Sequence, residues 1–454
     1  MARPRCGSPT SPDRPVWPDP VTTNQPSMAV EITDHRWAAD VVRPEPMLRP
    51  DGEPAMADWS LKDGVRHLNH GSFGAVPLIA QRAQGGFRQM MDENPCAWFT
   101  GLPERVAAAR SEIAGYLHTD PGLTALVPNA SAGVTVVYAN IPTSRGMEIV
   151  ITDHTYGAVA MAAERLARRC DGVVRIVRIP LDADAAVATE LVMSEVTDRT
   201  SLIVIDQVTS ATGREMPAVR CRPATSLRLA ALWVSRCSWT PRMRQDCLRS
   251  RSRVSTPISG WATYTSLPAH RVGQPRSWRP AHVLSGSTRS STPGARRTHS
   301  PERFDHQGTL DVTGYLATRA SFETIEQRYG WDSARAYMQC LSDYAETIIS
   351  DAMSEATGWD ARVDVGMPVS ALRLIRLPAP LATNLDDAAD LRRHLAVTAG
   401  VETGITTWHG QGFLRLSTHV YNTAEDYEDF AERVVPLIVE LGRGAQSGER
   451  SSRR

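Results

Sequence analysis

Lysine is almost missing from this chain. Of its 454 residues only Lys62 is a lysine, so all but one of its 50 Lys and Arg residues are arginine. Chemistry that needs a side-chain amine able to lose its proton and attack a carbonyl therefore has one candidate in the whole chain. Long apolar runs are lacking too. No stretch approaches the roughly 20 residues a membrane-spanning helix requires, and the N-terminus has no basic-then-apolar secretory pattern. Neither a membrane nor secretion is expected. The seven cysteines form no CxxC pair and share no metal-ligand spacing with histidine. That argues against a disulfide framework or a zinc site, and leaves reduced thiols in the cytoplasm as the expectation, with no metal.

What is present reads as a soluble globular chain of two or three domains, with 42% hydrophobic and 22% charged residues. The zero net charge hides an asymmetry. Residues 218–300 hold fifteen arginines against one acid, Asp246, while the remainder holds 49 acids against 35 bases. The same window has four of the eleven Trp, three of the seven Cys and no Glu.

Residues 1–55 are rich in Pro, Asp and Arg without an apolar period. They are expected to be a disordered extension, or an over-long start with Met28, Met47 or Met56 as the true one. From there the periodicity predicts a helix over 103–118, with a proline in its first turn. Strands follow at 124–127, 148–152, 173–179 and 201–205, with helices at 131–139 and 156–169. Strands alternating with helices indicate a parallel α/β sheet. The pattern fails for about eighty residues and returns after Pro301. Helices are then predicted at 313–330, 332–356, 386–397 and 424–441, and strands at 371–376, 401–405 and 413–416. Four segments result: an extension over 1–55, a large domain over 56–312, a small α+β domain over 313–445, and a disordered tail over 446–454.

Polar residues gather where these strands end. Asn129-Ala-Ser-Ala-Gly133 opens a helix, where backbone amides and a small hydroxyl suit a phosphate, or simply cap the helix. Asp153-His-Thr-Tyr-Gly157 offers rings that suit stacking on a flat ligand, or turn chemistry. Asp206-Gln-Val-Thr-Ser210 offers hydrogen-bonding side chains, or an ordinary loop. Arg415-Leu-Ser417 places a guanidinium fork on a strand, suited to a carboxylate or to solvent.

In this order the motifs resemble the fold-type I pyridoxal-phosphate enzymes of the class V aminotransferase family, in its isopenicillin N epimerase-like branch. Leu68-Asn-His-Gly-Ser-Phe-Gly74 is similar to that branch's substrate-side loop, and Glu302-Arg-Phe-Asp-His-Gln-Gly-Thr309 to the loop that reaches a neighbouring subunit's phosphate site. The resemblance covers about residues 59–217 and 301–441. It implies a fold-type I architecture, with a mainly parallel sheet in the large domain and a smaller α+β C-terminal domain. It further implies pyridoxal 5'-phosphate as cofactor, an amino-acid-type substrate and a homodimer. By position, Ser131 and Ala132 would hold the phosphate. His154, Thr155 or Tyr156 would stack on the ring, with Tyr156 favoured. Gln207 and Ser210 would sit by the ring oxygen, and Gly308 and Thr309 would complete the partner's phosphate site. Asn69 and His70 would line the substrate side, and Arg415 would bind its carboxylate.

The resemblance also demands two elements between 217 and 301 that are not there: a strand ending in Asp-x-x-His, whose aspartate pairs the pyridine nitrogen, and the Schiff-base lysine. Lys62 precedes the substrate loop and matches no such position. The genetic code offers an account. Tryptophan has one codon, so in the frame one base upstream Trp239-Thr240 must read aspartate in the register of Thr240. Met243 gives histidine there if Arg242 ends in C, and Trp261-Ala262 must give glycine. With permitted codons, residues 233–247 reread as VGVPLFVDAAHAPGL and 261–274 as VGNLHKFACAPRGT, placing a lysine in the register of Ser266. The window then reads as out of frame and the literal chain as inactive. Epimerase, desulfurase, lyase and aminotransferase chemistry stay open. So does a non-catalytic scaffold. A basic nucleic-acid arm is disfavoured, because the four tryptophans follow no stacking pattern and the window interrupts a sheet.

Overall fold

Several segments of the first half are near-continuous apolar runs, such as Ile-Val-Ile at 149–151 and Leu-Ile-Val-Ile at 202–205. Runs of this kind suit strands covered on both faces. The computed structural model describes residues 41–117, 119–217, 230–234, 263–266, 304–305 and 308–452. In chain order its elements begin with β1 (Arg66–Leu68), α1 (Leu78–Glu93), α2 (Pro95–Thr100), α3 (Leu102–Tyr116), β2 (Thr124–Val127) and α4 (Ala130–Asn140). Next come β3 (Glu148–Thr152), α5 (Gly157–Arg169), β4 (Val173–Val177), α6 (Ala185–Ser194), β5 (Thr200–Asp206), β6 (Ala230–Val234) and β7 (Thr263–Ser266). The C-terminal part holds α7 (Thr313–Arg328), α8 (Trp331–Thr357), β8 (Leu372–Arg376), α9 (Leu385–Ala399), β9 (Val401–Trp408), β10 (Gln411–Ser417), α10 (Ala424–Asp429) and α11 (Val435–Ser452).

The apolar runs form the centre of a parallel sheet with strand order β4-β3-β5-β6. Alternate side chains feed two cores. Ile149, Ile151, Leu202 and Val204 meet Val134, Val137, Val159 and Leu166 of α4 and α5. Val150, Ile203 and Ile205 meet Ala188 and Val192 of α6 on the other face. Ionisable side chains also enter this sheet. Glu148 is fully buried at the start of β3 and is held by Arg175, Arg199 and the Thr197 hydroxyl. β2 pairs antiparallel with β7.

The C-terminal sheet has order β1-β9-β10-β8, with β1 parallel to β9 and the other pairs antiparallel. Its core joins Leu341, Ile348 and Met353 of α8, Leu391 and Leu395 of α9, and Tyr427 and Phe430. α7 packs on α1 and α3, which carries the C-terminal part back onto the N-terminal helices.

The α/β architecture expected from the sequence is thus observed, with differences of detail. β1, α1, α2 and α6 were not predicted. α1 carries Gly85-Gly86 mid-helix, which lowers its intrinsic propensity. β1 has three residues and a single buried side chain, Leu68, so it shows no alternation. Residues 41–55, expected within the disordered extension, are docked. Arg43 forks onto Glu428, and Met47 packs against the C-terminal core. The final helix runs to Ser452, through most of the expected tail, after a π-helical turn at Phe430–Val434. Among the described residues no helix is long and apolar enough to cross a membrane, and no cluster of His, Cys, Asp and Glu could hold a metal.

Candidate active site

Two of the polar segments picked out in the sequence, after β3 and after β5, lie at carboxyl ends of parallel strands, where an open α/β sheet forms its ligand crevice, whereas Asn129 follows β2 and Arg415 lies on β10, both in antiparallel pairs. After β2, Asn129 caps α4: its side-chain oxygen accepts from Ala132 N at 2.8 Å. Ser131 is exposed in the first turn. This helix start concentrates amide N–H groups and a hydroxyl, a setting for an anion. The amide of Ala132, expected to bind phosphate, is engaged by the cap.

After β3 the three candidate ring-stacking residues separate. His154 is buried. One ring nitrogen lies 2.8 Å from the Thr212 hydroxyl, the other 2.7 Å from the Ile179 carbonyl, and its face stacks on Trp408 at 4.9 Å. The Thr155 hydroxyl accepts from Thr152 N at 3.0 Å and so closes the turn. Tyr156 is half-buried and N-caps α5. Its amide donates to Asp206 Oδ2 at 2.7 Å.

Asp206 is the residue that sequence reasoning missed. It ends β5 with 1% exposure, and its second oxygen, Oδ1, has no hydrogen-bond partner among the described residues. The hydroxyl of Tyr138 on α4 is likewise buried with no hydrogen-bond partner among the described residues, and burial, with the nearby Asp206 carboxyl, raises its pKa. Desolvation pushes the Asp206 carboxyl up to about 7, against the opposing pull of the Tyr156 amide. An acidic residue ending a fully apolar strand was the available signal. A pH prediction follows. The folded chain holds this proton to about pH 7, whereas the unfolded chain releases it near pH 4. Stability therefore falls as pH rises from about 4 to 7 and then levels, by at most about 4 kcal/mol. Asp206→Asn removes that slope. Its melting temperature should exceed wild type by a margin that opens between pH 4 and 7; parallel curves would refute the assignment.

After β5, residues 207–213 fold back through Thr209, whose hydroxyl lies 2.6 Å from that of Thr212. Gln207 and Ser210 sit half-buried on this loop. Opposite it stands the 69–74 loop, and between the two lies Arg415 of β10. Arg415 is buried, and its guanidinium donates to the Ser210 carbonyl and the Ser72 hydroxyl. Glycines permit this approach. A Cβ on Gly71 would lie 2.9 Å from Leu372, and Gly213, at φ +60°, comes within contact of the Arg415 stem. Asn69 is buried beside Gly404 on the neighbouring strand, its Oδ1 without a partner among the described residues. His70 turns inward. It stacks on His419 at 3.9 Å and meets the Tyr421 hydroxyl at 3.0 Å, and burial lowers its pKa to about 3. His70 thus braces the loop from beneath.

Arg415 joins the Ser210 loop to the 69–74 loop and Tyr156 is tied to the end of β5 through Asp206, while Ser131 lies in the first turn of α4. Gly308 and Thr309 lie elsewhere, lining an apolar depression with Pro95, Cys96 and Phe99. Lys62 is exposed in the turn before β1. Ser266 ends β7 opposite Thr124, at the far end of β2 from the Asn129 turn. Thr240 lies outside the described residues, as does most of the 218–300 window.

The chain is similar to known proteins. The aminotransferase class-V family model matches residues 101–225. Isopenicillin N epimerase from Streptomyces clavuligerus is 26% identical over 414 residues, covering 85% of this chain and all of that protein. A putative L-cysteine desulfhydrase from Oryza sativa subsp. japonica is 24% identical over 427 residues, covering 83% of this chain and 84% of its own. Among solved structures, a lysine-to-alanine mutant of C-DES, with glycine covalently linked to its PLP cofactor, superposes with a TM-score of 0.62 at 14% identity. That match covers 84% of this chain and 99% of the other.

Proposed function

We propose that this chain, a relative of isopenicillin N epimerase in the aminotransferase class V family, is built to bind pyridoxal 5'-phosphate and to act at the α-carbon of an amino-acid-type substrate. The observation that carries this reading is Arg415. A guanidinium fork buried between the 69–74 and 207–213 loops is placed to exchange a hydroxyl and a carbonyl for a substrate carboxylate.

The residues present fit the cofactor. Ser131 and the first-turn amides of α4 suit its phosphate. Tyr156 suits the ring face, since His154 and Thr155 are engaged elsewhere. Gln207 and Ser210 stand on the loop where the ring oxygen would be met. When bound, the cofactor draws electron density from the substrate's α-carbon and so makes its proton removable. The chain's own part is to orient the substrate by its carboxylate at Arg415, with Asn69 at its side, and to exclude water by closing the two glycine-containing loops on it. The apolar depression at Gly308 and Thr309 fits the face of a homodimer whose subunits complete each other's phosphate sites. A cytoplasmic location accords with the three free cysteines among the described residues, Cys96, Cys170 and Cys340.

The residue that should anchor the cofactor and move the proton is the missing lysine. We attribute its loss to translation of residues 218–300 in a shifted register, and hold the literal chain to be inactive. The desulfhydrase relative keeps a desulfurase or lyase reaction open beside epimerisation, and the absent amine favours a non-catalytic scaffold for the chain as written. Titration of the full chain with pyridoxal 5'-phosphate, followed by absorbance, tests the cofactor assignment. Saturable binding that gel filtration strips away is expected, and Ser131→Asp should weaken it at least tenfold, because a carboxylate then occupies the anion's place. Absence of saturable binding would sink the proposal.

A further inference from the structure

The β9–β10 hairpin reaches the candidate site twice. Near its base, Arg415 grips the 207–213 loop. At its tip, two residues grip the 153–156 loop instead. Trp408 lays its indole on the buried His154 ring, 4.9 Å between centroids and 24° between planes. His409 turns its imidazole onto Asp153, 2.7 Å from Oδ2, while the other Asp153 oxygen accepts from Ile179 N at 3.1 Å. The turn that presents them is unusual in composition. Trp408 pairs with Gln411, so His409 and Gly410 are the two loop residues, at φ +49° and +76°. Two left-handed residues are what a tight hairpin demands, and histidine takes the first of those places at a steric cost that glycine would not incur. That strained conformation carries the imidazole to Asp153.

From His154 the contacts continue inward. Its ring meets Thr212, and Thr212 meets Thr209 at 2.6 Å. The hairpin therefore holds the 207–213 loop from both ends, directly through Arg415 and indirectly through Trp408, His154 and Thr212. We infer that the tip of the β9–β10 hairpin is a latch that fixes the 153–156 loop, with Trp408 as a positioning residue that acts through His154 to hold Tyr156 in place. The link to the ring face rests on the cofactor reading given above; the latch itself does not.

Hydrogen exchange on the full-length chain without cofactor, read by mass spectrometry, tests the latch. Trp408→Ala should raise exchange of amides 152–158 at least tenfold, and Trp408→Phe, which keeps a ring against His154, should recover most of that protection. His409→Gly keeps the left-handed turn, deletes the imidazole, and should raise the same amides. Leu395→Ala, in the C-terminal core, serves as a destabilised control that should loosen α9 and leave 152–158 unmoved. Wild-type exchange at 152–158 in both Trp408→Ala and His409→Gly would overturn the latch, as would an equal rise in Leu395→Ala. A second arm titrates each variant with pyridoxal 5'-phosphate. Affinity should fall in step with the loosening for Trp408→Ala. Unchanged affinity beside raised exchange would overturn the positioning role. Failure of the unmutated chain to bind cofactor at all would instead overturn the proposed function, leaving the latch to be decided by exchange alone.

Discussion

Read in the restored frame across residues 218–300, the full-length chain should gain a visible absorption band from covalently held cofactor, and changing the restored lysine to alanine should abolish it. The chain as written should show neither the band nor turnover. The size of this effect follows from what one amine does in such a site: it anchors the cofactor carbonyl and carries the proton. A positioned proton carrier alone is worth roughly 10²- to 10⁴-fold in rate. No other residue can substitute, because the sole lysine, Lys62, is exposed in a turn ahead of β1. The physical footprint of the shift is the window's fifteen arginines and one acid, set between segments with an excess of acids. Among the described residues of the window only two short segments, Ala230–Val234 and Thr263–Ser266, form strands. The nucleotide sequence decides the point before any protein is made. If no alternative reading of that stretch spells aspartate, histidine and lysine in the registers of Thr240, Met243 and Ser266, the prediction is lost.

Legibility in the sequence tracked the physics of each segment. β2 and β3 were delimited residue for residue, because a short apolar run ending in polar residues has one plausible structure in an α/β pattern. α1 stayed hidden behind its glycine pair, and α6 behind an Ala- and Val-rich stretch that lacks a charged face. Docking of residues 41–58 was illegible for another reason. It is held by partners more than 250 residues away in the chain, such as Glu428 for Arg43 and Arg328 for Asp58. The site divided in the same way. Asn129, Tyr156 and Arg415 announce themselves by residue type at strand and helix ends. Asp206 reads as part of a polar loop until its burial is known, and His154 reads as a ligand-stacking ring until Trp408 is seen against it. Long-range packing, which no local pattern encodes, decided each of these.

Arg415→Lys in the frame-restored chain should lower kcat/KM by about 10²-fold, through KM, while leaving cofactor affinity within a few-fold of the parent. The argument is one of geometry more than of charge. Arginine presents two parallel N–H groups, one now on the Ser210 carbonyl and one on the Ser72 hydroxyl, and both can turn to a carboxylate. A lysine ammonium keeps the charge but loses the fork, and with it one charge-assisted hydrogen bond of about 1.5–3 kcal/mol. Each 1.4 kcal/mol is tenfold in affinity, which gives the stated fold-change. The split between the two affinities is the informative part. The phosphate is expected at α4 and the carboxylate at β10, where Arg415 meets the Ser210 carbonyl and the Ser72 hydroxyl. If Arg415 were merely a brace for that loop, its loss would weaken cofactor and amino acid alike, and Arg415→Met would do so more severely by leaving the Ser210 carbonyl without its donor. A clamp for substrate moves KM with Arg415→Lys and leaves cofactor binding nearly intact. Equal losses on both, or an unchanged KM, would remove the observation on which the proposed substrate class stands.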